Sequence, residues 1–106
     1  MIKNLRDSPV VRKWISKVDE MYPLSDDEWA TRLGVLDEFC SATGTDPDRM
    51  IADSLASREA KNEHMRQLKR FARARNPDAR AAHDAENVVR SFFIHNGARV
   101  FVRPYE

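Results

Sequence analysis

Apolar and polar residues alternate along most of the chain with a period of three to four, the spacing of amphipathic helices. The first such segment spans about residues 9–21, and its apolar stripe holds Val11, Trp14, Ile15 and Val18. Ser8 followed by Pro9 is typical of an N-cap with proline at the first helical position. The pattern therefore predicts a helix that begins next to Pro9.

Two further helices are predicted before residue 57. The second starts at a capping box, because Ser25 is followed three residues later by Glu28, and it ends at Gly44. Its inward stripe holds Trp29, Leu33, Leu36, Phe39 and Cys40. A short third helix has Asp46 as its N-cap and Pro47 at its first position. Its expected inward residues are Met50, Ile51 and Leu55.

The second half of the sequence predicts two long helices, at about 57–75 and 79–96. Pro77 disfavours a helical Asn76, and Asp78 can cap the helix that follows. Gly97 suits the left-handed position after the last helix. The expected inward residues are Ala60, His64, Leu68, Phe71 and Ala72, then Ala85, Val88, Val89, Phe92 and Phe93. Together the elements predict an all-α fold, a compact bundle of four to five helices.

Length and composition narrow the class of protein. A chain of 106 residues is large enough for one modest hydrophobic core. Cys40 is the only cysteine, which excludes an internal disulfide and a multi-thiolate zinc site. The sequence has no run of 18 apolar residues, and its first residues lack the apolar core of a signal peptide. We therefore expect a cytoplasmic protein without a membrane partner.

Charge is distributed unevenly although the net charge is only +1. Residues 1–56 hold seven Lys/Arg and eleven Asp/Glu, a balance of −4, whereas residues 57–106 hold eleven and six, a balance of +5. Such an asymmetry allows a nearly neutral protein to present one cationic face to an anion. It is equally compatible with two helical faces that are simply solvated differently.

Catalytic and metal-binding patterns find little support. The three histidines lie far apart, and none has another histidine or a cysteine at the i+3 or i+4 spacing that metal sites on helices use. Cys40 falls on an apolar stripe. We therefore predict no enzymatic activity of the chain by itself, no metal and no cofactor.

Basic residues form the candidate binding surface. On the fourth predicted helix the outward basic residues are Arg66, Lys69, Arg70 and Arg73, with Arg75 at the exit. On the fifth, the residues expected to share one face are Arg80, His83, Asn87 and Arg90. Such side chains contact phosphates and base edges, and a helix fits the major groove of B-DNA. An ordinary solvated helix face is the alternative interpretation.

The order of elements resembles the N-terminal core-binding domain, a SAM-like helical fold, of tyrosine recombinases (the phage-integrase family). A first helix is followed by LSDDEWATRLGVLDEFCSATG and then by a helix pair ending in ENVVRSFFIHNG. The positions that match the family pattern are Ser25, Leu36, Phe39, Val88, Val89, Arg90, Phe92 and Phe93. Glu28 stands where the family often has threonine, and Arg32 where it often has tyrosine. Asp26 and Asp27 make the start of this helix acidic, so the expected DNA contacts on it are Thr31 and Arg32.

The resemblance implies a DNA-binding half without the catalytic half. Family members carry their catalytic arginine, lysine, His-x-x-Arg motif and tyrosine in a second domain, and Tyr105 here lacks such a cluster. Residues 1–103 would then be the core-binding domain, and 104–106 the start of a linker to a catalytic domain. The implied partners are double-stranded DNA and sister protomers. Further phosphate contacts are expected near the linker from Arg99 and Arg103.

Two other functions stay open. A helical protein-interaction module would use the acidic first half, together with Trp14 and Tyr22 if these are exposed. A helix-turn-helix repressor is less favoured, because the helix before the turn at Pro77 is long and the turn has no glycine.

Overall fold

The computed structural model describes residues 5–100, and this part of the chain is all-helical, as the sequence predicts. A short 3-10 turn, Leu5–Asp7, precedes five helices: α1 Pro9–Met21, α2 Asp26–Thr43, α3 Pro47–Ala56, α4 Arg58–Arg75 and α5 Ala79–Ile94. The predicted fifth helix was two residues too long, because His95 and Asn96 form a turn. The linker predicted at 104–106, and Arg103, lie outside the described residues.

Local side-chain hydrogen bonds explain where the helices begin. Each helix has an N-cap whose side chain accepts a backbone N–H three residues later: Ser8, Ser25, Asp46, Ser57 and Asp78. The predicted capping box is confirmed, since Ser25 and Glu28 exchange hydrogen bonds of 3.1 Å in both directions. Gly44 and Gly97 adopt the left-handed backbone expected after a helix, with φ of 71° and 89°.

An aromatic cluster joins α1, α2 and α5 in the core. Trp14 is fully buried and meets Trp29 and Phe92 edge-on, with ring centroids 5.2 and 5.5 Å apart. The indole N–H of Trp14 donates to Ser91 Oγ, and that of Trp29 to Asp19 Oδ1, each at 3.1 Å. The tryptophans therefore bury their rings without leaving either polar N–H unsatisfied.

Helices α4 and α5 form an antiparallel pair across the short turn at Asn76. Far from that turn, Met65 still contacts Arg90, and the rings of His64 and Phe93 lie 6.1 Å apart. The two helices therefore run side by side for most of their length. Continued toward the turn, the same register brings Lys69 level with Asn87 and Arg73 level with His83. This pairing sets the relative positions of the basic residues.

Burial departs from the sequence pattern at a few positions. Leu55 was expected inside but is 57% exposed, because α3 buries a stripe through Met50, Ile51 and Ser54 and Leu55 lies about a quarter turn from its middle. Several residues expected inside are only partly buried at the edge of the core: Ile15, Ala60, His64, Phe71 and Val88. The other predicted inward residues are buried.

Candidate nucleic-acid interface

The outward face of α4 carries a row of basic side chains. Leu68 and Ala72 turn the opposite face of the helix into the core. The row, called the α4 row below, consists of Arg66, Lys69, Arg70 and Arg73. Lys69 is partly buried, and the three arginines are exposed. At 1.5 Å per residue the row extends over about 10 Å of the helix axis.

Glu63 lies at one end of the α4 row and pairs with two of its arginines. Its Oε1 accepts a 3.0 Å hydrogen bond from Nε of Arg66 and lies 2.9 Å from Nη2 of the same guanidinium. Its Oε2 lies 3.8 Å from Nη2 of Arg70. Between Glu63 and Arg73, four cations and one carboxylate leave this face with a formal charge of 4 − 1 = +3. Glu63 was not among the residues predicted for the site, although the i+3 and i+7 spacing to the two arginines indicates that it lies on their side of the helix.

Arg75 does not extend the α4 row, which corrects its expected place beside Arg73. Its Nε and Nη2 each donate to an oxygen of Glu38 on α2, both at 2.9 Å. Hydrogen bonding from Arg75 lowers the pKa of Glu38, and the same bond to Glu38 raises the pKa of Arg75. The guanidinium therefore ties the end of α4 to α2 through two charge-assisted hydrogen bonds in a bidentate arrangement.

Arg90 does not share an outward face with Arg80, His83 and Asn87, so its predicted placement was wrong. Its side chain is only 11% exposed, as is that of Glu86, and the two are joined by a 2.8 Å ion pair. Another nitrogen of the same guanidinium, Nη1, donates to the sulfur of Met65 at 3.6 Å. Arg90 therefore lies in the seam between α4 and α5.

The first half of α5 does place the other expected residues on the outer side. Arg80 is exposed, and its Nε lies 3.5 Å from Oδ1 of Asp84. The amide nitrogen of Asn87 lies 3.1 Å from Nε2 of His83, and both residues are partly buried. By the register of the two helices, His83 and Asn87 stand opposite the second half of the α4 row.

The second half of α5 is covered by α1. Ser91 accepts the indole N–H of Trp14, and the amide of Asn96 donates to the carbonyl of Val10 at 3.0 Å. A bound DNA duplex can therefore contact α5 only along the first turns of the helix, and only these turns are open to a major groove.

Arg32 and Arg99 lie outside α4 and α5. Arg32 is a partly buried residue of α2. The pKa of Glu28 is lowered mainly by hydrogen bonds from Ser25, and the charge of Arg32 lowers it further. Arg99 is exposed, and its carbonyl accepts a 2.9 Å hydrogen bond from Nζ of Lys61 in the first turn of α4. With Arg75 paired to α2 and Arg90 buried against Glu86, the predicted contact residues do not form one continuous surface.

Other kinds of site have little basis in residues 5–100. No group of three or more His, Cys, Asp or Glu side chains there is arranged to hold a metal ion. Burial raises the pKa of the Cys40 thiol to about 12, with further contributions from Asp37 and Asp46. Such a thiol is protonated at neutral pH and is a poor nucleophile. Within the same range, no helix has both the length and the apolar character needed to cross a bilayer.

Comparison of the chain with models of known protein families, with curated proteins and with solved structures gives no match. The resemblance to tyrosine recombinases therefore rests on the sequence motifs alone.

Proposed function

We propose that this chain is a duplex-DNA-binding module that holds DNA mainly by its phosphates, with the α4 row as the principal contact. The observation that carries the proposal is the row itself, which places four cations on one helix face with a single paired carboxylate, Glu63. A duplex carries about one negative charge per 1.7 Å of its axis, so a face about 10 Å long meets several phosphates. Phosphate contacts position a protein but do not read sequence.

The neighbouring part of α5 supports a secondary contact. Arg80 is an exposed cation at the start of the helix, and His83 and Asn87 stand opposite the α4 row. With Arg90 buried against Glu86, the set of side chains able to reach base edges is smaller than the sequence suggests. Weak binding that depends little on sequence is therefore the expected behaviour, with Kd of about 10⁻⁴ to 10⁻⁶ M at physiological salt.

The sequence resemblance supports a role in recombination or integration. In that proposal the chain clamps a duplex while a separate catalytic domain cuts the strand, and no residue of this chain takes part in the chemistry. A His-x-x-Arg motif and a downstream tyrosine in the same reading frame would support such a parent protein.

A protein-interaction module is the second candidate, and one observation favours it. Met21 and Tyr22, at the end of α1, are 59% and 52% exposed, and the acidic start of α2 follows closely at Asp26 and Asp27. Exposed apolar side chains next to acidic ones suit a partner that is basic and partly apolar. Trp14 lends no support, because it is fully buried.

A fluorescence-anisotropy titration with a labelled duplex tests the proposal. We expect log K to fall with log salt at a slope of about −4 to −5, which corresponds to four to six phosphate contacts. The double variant Arg66→Glu/Arg73→Glu should bind at least about ten-fold more weakly at about 50 mM salt. The matched control Arg12→Glu/Lys17→Glu makes the same charge change on exposed positions of α1.

Two results would contradict DNA binding through this face. One is the absence of salt-dependent binding by the wild-type protein at about 50 mM salt. The other is an equal loss of affinity in both double variants, since that would mean that net charge matters and the face does not. Circular dichroism of each variant checks that the helices remain folded.

A further inference from the structure

The contacts of Glu63 resemble those of a phosphate group. Its two carboxylate oxygens are divided between two arginines, with Oε1 on Arg66 at 2.9 Å and Oε2 near Arg70 at 3.8 Å. A backbone phosphate also presents two negatively charged oxygens, and guanidinium groups bind carboxylates and phosphates with the same fork of N–H donors. One guanidinium group is therefore already hydrogen-bonded to an anion, and the second lies within ion-pair distance of the same anion.

The exposure of this cluster decides whether Glu63 organises the arginines or competes for them. The side chains of Arg66, Arg70 and Glu63 are 62%, 70% and 48% exposed. Ion pairs this exposed contribute little to holding a side chain in place, because water and salt screen them. A carboxylate that stays beside the arginines when a phosphate arrives repels it, so repulsion outweighs organisation.

We infer that Glu63 is an internal competitor of the DNA phosphate and that Arg66 and Arg70 form the phosphate-binding pair which it partly occupies. The inference rests on the proposed DNA-binding function. It makes Glu63 a residue that weakens binding: a duplex must displace the carboxylate before both arginines can be used. The affinity of the α4 row is then set lower than its four cations alone would allow.

Substitution of Glu63 by glutamine tests this, with Glu59→Gln as the matched control. Both changes remove one negative charge from the exposed side of α4, and Glu59 lies four residues earlier. At about 50 mM salt we expect Glu63→Gln to bind a duplex about two- to five-fold more tightly than wild type, the range that corresponds to an exposed ion pair. Glu59→Gln should give less than half of that gain. Equal gains in both variants, or weaker binding by Glu63→Gln, would overturn the inference.

A double-mutant cycle separates competition at the arginines from a general charge effect. In the Arg66→Gln/Arg70→Gln background, adding Glu63→Gln should change the affinity by less than about 1.5-fold, because the contested groups are gone. A gain as large as in the wild-type background would overturn the inference. If the wild-type protein shows no salt-dependent binding, the proposed function itself fails. If it binds and Glu63→Gln does not bind more tightly, only the role of Glu63 fails.

Discussion

Arg90 and Glu86 form a buried ion pair one helical turn apart on α5. Nε and Nη2 of Arg90 donate to the same oxygen of Glu86, at 3.3 and 2.8 Å, and both side chains are 11% exposed. Nη1 reaches the sulfur of Met65 on α4. Two charges are thus enclosed in the seam between the helices that carry most of the candidate binding residues.

Removal of one member of this pair should destabilise the protein strongly. We expect Arg90→Ala to lower the free energy of unfolding by about 3–5 kcal/mol, because it leaves the Glu86 carboxylate buried without its counter-ion. Urea denaturation followed by circular dichroism measures the change. The double variant Glu86→Leu/Arg90→Met should stay within about 1 kcal/mol of wild type, since an apolar pair of similar volume has no charge to desolvate. A loss below about 1 kcal/mol in Arg90→Ala would show that the charge is not enclosed.

The pair between Glu38 and Arg75 predicts a pH dependence of stability. The pKa of Glu38 is lower in the folded state than in the unfolded chain, mainly because Arg75 donates hydrogen bonds to the carboxylate. The ionised Glu38 carboxylate therefore contributes its full share to the free energy of unfolding above the pKa of the unfolded chain. That share is lost as the pH falls through the pKa of the folded state. We expect Glu38→Gln to have a lower Tm than wild type at pH 7. Between pH 7 and about pH 3, the Tm of this variant should fall by less than the Tm of wild type.

The effect should be small, below about 1 kcal/mol, because the Glu38 side chain is about half exposed. Thermal unfolding from pH 3 to pH 7 measures it. Glu20→Gln, at an exposed position of α1, is the control and should keep the pH dependence of wild type. If the two variants give parallel curves, the pair with Arg75 makes no net contribution.

Cys40 should resist alkylation in the folded protein. Its thiol is buried and its pKa is raised to about 12, so the reactive thiolate is scarce at pH 8. We expect iodoacetamide to label Cys40 at least about a hundred-fold more slowly under native conditions than in denaturant, as mass spectrometry can follow. Labelling at the rate of an unfolded thiol would place Cys40 outside the core.

The same shift affects stability at alkaline pH. Because the pKa of Cys40 is higher in the folded state, the buried protonated thiol favours folding. Its contribution to the free energy of unfolding is fully present below the unfolded pKa of about 8.5 and declines as the pH rises above that value. In Cys40→Ala this part of the alkaline decline should disappear, although the smaller side chain lowers stability at every pH. A decline between pH 8 and pH 10 as steep as in wild type would contradict the assignment.

Most of the helix boundaries could be predicted from the sequence because the interactions that fix them are local. Ser25 bonds to Glu28 and Asp46 to Arg49, each three residues apart, so the partners can be read directly from the chain. The core was readable for a similar reason, since a period of 3.6 selects the inward side of a helix. The prediction of the core was wrong at Leu55, because the centre of the buried stripe depends on how α3 is rotated against its neighbours.

The candidate site was predicted less well because the exposure of its charges depends on how the helices pack, and Arg75 has its partner on another helix. The sequence shows that Arg75 and Arg90 are basic and that Glu86 lies four residues before Arg90, but Glu38 is 37 residues from Arg75, and Met65 is 25 from Arg90. Only the packing of α2 and α4 against each other and of α4 against α5 brings these groups within hydrogen-bond distance. The sequence by itself determined which segments are helical and which residues are charged. The tertiary structure decided which charges reach solvent, because burial and ion pairing depend on contacts between segments far apart in the chain.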